Sequence, residues 1–179
     1  NSGPERYAAA NFGVPRHIPL LSEKLNGVGY ATGMIGKWHI GFREGLRPHE
    51  RGFDFTYVFH SGARSYHPET KNGDPLYRNG IRVAKEPAYL TDAFAEESAN
   101  FIKQNRNDPF FLYLAFNAVH TPMEATDQYL KRFPNIKDRK RKAMAGMLSA
   151  MDDAVGDILD TLETLNLTEN TLIMFYSDN

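Results

Sequence analysis

Phe110-Phe111-Leu112-Tyr113-Leu114-Ala115-Phe116 runs without a charged or amide residue and is cut off from the preceding segment by Asp108-Pro109. A half-exposed strand alternates polar and apolar positions, so a continuous run predicts a strand buried on both faces, as in a parallel sheet covered by helices. The flanking segments fit that arrangement. Before it, Thr91 reads as the N-cap of a helix carrying Phe94, Ser98, Phe101 and Ile102 that ends near residues 105–107. After it, a long amphipathic helix is expected over residues 139–165, with Met144, Met147, Leu148, Met151, Val155, Ile158, Leu159 and Leu162 along one stripe.

Further out, residues 19–26 form a short helix through Leu20, Leu21 and Leu25, stopped by Gly27 and Gly29. Residues 30–35 form a buried strand bounded by Gly36, and Thr171 to Tyr176 another. Residues 42–87 are rich in Gly, Pro and Asn and show no sustained period; they are expected to be a loop-rich insertion with a small hairpin at Asn79-Gly80. No internal repeat is present. Helices alternating with apolar strands predict an α/β fold with a mainly parallel sheet and helices on both faces.

Composition narrows the function. The chain has 179 residues, 41% hydrophobic and 24% charged, with a formal net charge of -1. This fits one ordinary globular domain and lacks the positive excess of a dedicated nucleic-acid binder. There is no apolar run of about 18 residues and no basic-then-apolar leader, so neither a membrane span nor a signal peptide is expected. The absence of cysteine removes disulfides, thiolate zinc sites and cysteine nucleophiles from the chain as it stands. Its polar Gly/Pro start and its end at Asp178-Asn179, directly after a strand-like run, suggest an internal piece of something longer. Residues 1–179 would then be part of a larger domain.

In parallel sheets ligands bind outside the carboxyl ends of the strands. The three expected strands end in chemically capable residues: Lys37 with His39, His120, and Asp178 with Asn179. A lysine and a histidine two apart on a strand share a face and suit a tetrahedral oxyanion. His120, held before Thr121-Pro122, is placed to protonate a leaving group. Asp178 and Asn179 supply hard oxygen donors of the kind calcium prefers, short of the roughly six to eight it takes. Each has an ordinary alternative: solvated loop residues, a histidine satisfying loop backbone, a simple turn. Trp38 reads as a packing residue, and the basic run Lys137 to Lys142, interrupted by Asp138, as a solvated face.

Gly36-Lys37-Trp38-His39-Ile40-Gly41, preceded by Gly29-Tyr30-Ala31-Thr32-Gly33, resembles the second signature of the type I sulfatases. Arg51-Gly52-Phe53-Asp54, His120-Thr121-Pro122 and Ser177-Asp178-Asn179 resemble later motifs of that family, in the expected order. The resemblance covers the chain from about residue 18 to its end. It implies an alkaline-phosphatase-like, mainly parallel sheet flanked by helices, incomplete in this chain, and hydrolysis of a sulfate ester. In that family a formylglycine, made from Cys or Ser, attacks sulfur as its hydrate while calcium and cationic side chains hold the sulfate oxygens.

Carried over by motif, Lys37 binds sulfate and the leaving-group oxygen, His39 assists turnover, and His120 contacts sulfate and acts as general acid. Asp178 and Asn179 are calcium ligands, and Ser61 lies near a substrate-contact position. Ser2-Gly3-Pro4-Glu5-Arg6 fits the nucleophile pattern literally but lacks the helix that follows it in the family, so the formylglycine is expected upstream and is not identified in this chain. An early aspartate pair for calcium and a later lysine are also missing. The resemblance implies a sulfated small molecule or carbohydrate as substrate and a periplasmic, extracellular or lysosomal setting; it leaves oligomeric state open. The alternatives are a phosphate or phosphonate ester hydrolase of the same superfamily and a non-catalytic polyanion-binding module using Lys37 and the basic run.

Overall fold

A computed structural model of the chain describes residues 12–68 and 74–177. Its centre is β1 (Ala31–Lys37), which pairs in parallel with β2 (Phe55–Phe59) on one side and with β5 (Phe110–Ala115) on the other. Two short antiparallel strands, β3 (Tyr77–Arg78) and β4 (Ile81–Arg82), extend the sheet beyond β2, giving the order β4-β3-β2-β1-β5. Around it lie α1 (Leu21–Asn26), α2 (Leu90–Gln104), α3 (Asp127–Leu130) and α4 (Arg139–Thr164). This is the α/β architecture expected from the sequence.

Alternation along β1 and β2 divides the core in two. Ile35, Tyr57 and Phe59 face a cluster with Leu90 and Phe94 of α2 and Met147 and Ala150 of α4. Met34, Val58, Trp38 and Phe53 face the opposite cluster, with Leu20 at the start of α1 and Phe111 against it. Because β1 is covered on both faces, its sequence has no polar alternation. Gly36 has φ +110°, and a Cβ there would lie 1.9 Å from the Ala115 carbonyl oxygen, so only glycine lets β1 and β5 close up at this point.

Several expectations need correction. The segment 42–87 is not simply loop: it contributes β2, paired along its whole length with β1, as well as the hairpin of β3 and β4. Asn79 and Gly80, both at positive φ, make the hairpin turn that was expected there. Thr91 does not cap α2; the helix begins at Leu90 after Tyr89, with no side-chain cap, and Thr91 is buried within it. β5 is only half-buried, with Tyr113 exposed, because it lies at the edge of the described sheet. The stripe on α4 is buried at Met147 and Leu162 but open at Met144, Leu148 and Leu159. Residues 171–176 join no strand, and Leu172 to Tyr176 are exposed, since an apolar run becomes a strand only where a neighbour supplies backbone partners.

The segment leading to the sheet is fastened by Arg51, whose side chain is fully buried. Its Nε donates to Glu23 Oε1 at 3.0 Å, Nη1 to the Val14 carbonyl at 2.7 Å and Nη2 to the Ile18 carbonyl at 2.9 Å. This guanidinium holds the Glu23 carboxyl below its ordinary range. Arg51→Met fills the space but leaves two carbonyls and a carboxylate without their donor. It is expected to destabilise the protein by about 3 kcal/mol, read from the midpoint of urea unfolding.

Candidate active site

Three parallel strands deliver their carboxyl ends to one edge of the sheet. Lys37 is the last residue of β1, opposite Phe59, the last of β2. The strand's alternation ends there, because His39 takes a left-handed conformation, φ +52°, and donates its backbone N–H to the His60 carbonyl at 3.1 Å. The same-face argument for Lys37 and His39 therefore gives way to a turn that follows the end of β2. Trp38 is buried, and its indole N–H donates to the Leu46 carbonyl at 3.0 Å, as suits a packing residue.

The His39 imidazole is half-buried beside the rings of Phe12 and Phe42, with centroids 5.7 and 6.5 Å away. Burial lowers its pKa from the ordinary value, and the charges of Lys37 and His120 push the same way. A neutral imidazole near an ammonium can take a proton rather than only donate one. The parallel register of β1 with β5 sets their carboxyl ends side by side, near enough for both Lys37 and His120 to act electrostatically on His39.

At the end of β2, Ser61 is buried and its hydroxyl donates to the Ala63 carbonyl at 2.9 Å. The backbone N–H groups of His60 and Ser61 both donate to Asp74 Oδ2. The His60 ring packs against Tyr77, 4.7 Å between centroids, and its Nε2 is buried without a partner among the described residues. Burial lowers the His60 pKa from 6.5 to about 4, with Arg47 and His49 acting in the same direction. Between these values the unfolded chain binds the extra proton, so this part of the stability is complete above about 6.5 and is lost as pH falls towards about 4. His60→Gln is expected to flatten that dependence; the measurement is the difference between wild-type and variant urea midpoints at about pH 7.5 and about pH 4.5.

Beyond β5, Asn117 is buried, with neither amide atom partnered among the described residues. The Asn117 carbonyl accepts from the His120 N–H at 2.8 Å and from the Tyr66 hydroxyl at 2.6 Å; that hydroxyl lies 2.9 Å from the His120 carbonyl as well. Tyr66 thus fixes the loop that carries His120. His120 itself is exposed, and its Nδ1 lies 2.7 Å from the Thr121 carbonyl oxygen. A carbonyl can only accept, so Nδ1 carries the hydrogen and Nε2 is the atom that exchanges a proton.

Lys37, His39, Ser61 and His120 therefore all lie at the edge predicted from sequence. Asp178, Asn179 and the Ser2 segment fall outside the described residues. Among the described residues no group of three or more His, Asp or Glu side chains is arranged to hold a metal ion. Sequence reasoning passed over Asp74, Tyr66 and Gly62, which organise the loops from a distance and form no motif.

Comparison with known proteins gives a consistent answer. The family model described as Sulfatase matches residues 2–179. Arylsulfatase J of Mus musculus is 32% identical over 179 residues, covering 92% of this chain and 30% of that protein. N-acetylgalactosamine-6-sulfatase of Homo sapiens is 34% identical over 182 residues, covering 93% of this chain and 33% of the relative. The chain thus spans about a third of the length of these relatives. The crystal structure of Ps i-CgsB in complex with k-i-k-neocarrahexaose superposes with a TM-score of 0.85 at 39% identity, over 94% of this chain and 41% of that one.

Proposed function

Since the chain belongs to the sulfatase family, we propose that the longer protein of which residues 1–179 form part of the catalytic domain hydrolyses sulfate esters of carbohydrates. The observation that carries this reading is the convergence of Lys37, His39 and His120 on one edge of the β2-β1-β5 sheet. The relative named for N-acetylgalactosamine 6-sulfate and the similar structure holding a neocarrahexaose favour a sugar over an aryl sulfate. A periplasmic, extracellular or lysosomal setting goes with that substrate; no helix among the described residues is long and apolar enough to cross a membrane.

Lys37 places an ammonium against the sulfate and the ester oxygen, where negative charge grows as the S–O bond breaks. His120 gives the proton on Nε2 to the departing alcohol, and its Nδ1–H bond to Thr121 keeps the ring oriented for that transfer. His39, kept neutral by burial, accepts a proton in the step that restores the enzyme. Ser61 contributes a hydroxyl lone pair at the edge of the substrate position. A formylglycine would supply the nucleophile. Calcium would neutralise sulfate charge, with Asp178 and Asn179 among its ligands; the described residues do not by themselves provide a metal site, so the steps here are those of side chains.

The test is turnover by the full-length protein of a 6-sulfated N-acetylgalactosamine and of the corresponding phosphate ester. Release of sulfate that stops on chelation is the expected result. Preferred release of phosphate would assign the phosphatase chemistry instead, and salt-sensitive binding of sulfated polysaccharide without turnover would leave a polyanion-binding module.

A further inference from the structure

The turn after β2 does more than connect elements. An ideal Cβ on Gly62 would lie 2.6 Å from His39 Cε1, 2.8 Å from Nε2 and 3.2 Å from Nδ1, and these three ring atoms are its nearest neighbours. The backbone at Gly62 is outside the left-handed region, and the nearest clash of an alanine there is with the imidazole. The missing side chain is the space that the His39 ring occupies. The same turn holds His39 by its main chain, through the His39 N–H to His60 carbonyl bond of 3.1 Å.

The turn in turn is tied down by one carboxylate. Asp74 is buried, and its Oδ2 accepts from the N–H groups of both His60 and Ser61, the latter at 2.7 Å. Arg64 reaches across to the Asp74 carbonyl at 2.8 Å and pairs with Glu86, which stops the segment carrying Asp74 from moving away. On its other sides the His39 ring meets Phe12 and Phe42. The ring is thus confined on one side by the 60–62 turn, which Asp74 holds, and on others by Phe12 and Phe42.

We propose that Gly62 and Asp74 are positioning residues for His39: Gly62 by leaving room for the imidazole, Asp74 by clamping the His60-Ser61-Gly62 turn that the ring rests on. The inference rests on the reading of His39 given above and deepens it. A displacement of about 1 Å at a catalytic group can cost about 100-fold, so a methyl group forced against the ring is a large perturbation of function from a small one of structure.

The experiment uses the full-length protein and a 6-sulfated N-acetylgalactosamine. Gly62→Ala is expected to lower kcat about 30-fold with KM changed by less than about two-fold, and Asp74→Ala about 10-fold. Asp74→Asn keeps an oxygen that accepts both N–H groups and should restore most of the rate. In a His39→Ala background, Gly62→Ala should add no further loss, since both changes act through one ring. Independently of any rate, the His39 ring proton, identified by its disappearance in His39→Ala, should titrate closer to the ordinary histidine value in Gly62→Ala as the ring leaves its burial, Lys37 and His120 being the charged groups that act on it. If His39→Ala has full activity, the role of His39 itself fails. If His39→Ala is impaired while Gly62→Ala leaves kcat and the His39 titration at wild-type values, or costs the same in both backgrounds, the positioning role is overturned.

Discussion

Lys37→Ala will lower kcat/KM of the full-length protein about 1,000-fold for aryl and sugar sulfates alike, a loss of about 4 kcal/mol in transition-state stabilisation. The size follows from what the ammonium does. It is a unit charge at the end of β1, half-buried, and in the proposed function it meets the sulfate and the ester oxygen. Its contribution grows as charge moves onto the ester oxygen, so most of the loss should appear in kcat and a smaller part in KM. Lys37→Met, which keeps the aliphatic stem, separates charge from packing and should be nearly as inactive. Neither change should unfold the protein, because Lys37 is the last residue of its strand and is only half-buried there. Equal activity of Lys37→Met and wild type would remove Lys37 from the chemistry altogether.

The parts of the fold legible in the sequence were those with long, uniform signals. Residues 139–164 read as a helix because 26 residues repeat one stripe, and Asp138 caps it by accepting from the Arg141 N–H. β1 and β5 read as strands because each is apolar without alternation. β2 was missed: Phe55-Thr56-Tyr57-Val58-Phe59 has the aromatic and β-branched content of a strand, but it is five residues long and embedded among Gly, Pro and charged residues. Its strand character comes from pairing with β1 on one side and β3 on the other, which a local reading does not contain. Thr171 to Tyr176 failed in the opposite direction, with strand composition and no pairing in the described sheet.

The site divides the same way. Lys37, His39 and His120 could be named because they lie at or shortly after strand ends and sit in motifs. The residues that hold them could not. Asp74 acts 13 and 14 residues away through two backbone N–H groups, Tyr66 acts 51 and 54 residues away through two carbonyls, and Gly62 acts by having no side chain. Such relations depend on main-chain geometry, and residue type alone carries little of it.

His120 permits a sharper test than Lys37, because a general acid matters only as much as its leaving group needs a proton. With Nδ1–H bonded to the Thr121 carbonyl, the ring is held so that Nε2 faces proton exchange, and Tyr66 fixes the loop beneath it. A sugar hydroxyl leaves poorly as an alkoxide, so His120→Ala should lower kcat for a sulfated sugar about 1,000-fold. A nitrophenol leaves readily as its anion, and the same variant should lose only about 10-fold on p-nitrophenyl sulfate. Lys37→Ala, which removes charge stabilisation from both the sulfate and the ester oxygen, should by contrast remain a severe loss on both substrates. A loss in His120→Ala that is equal for sugar and nitrophenyl esters would make His120 a sulfate-binding residue and give the leaving-group proton to another donor.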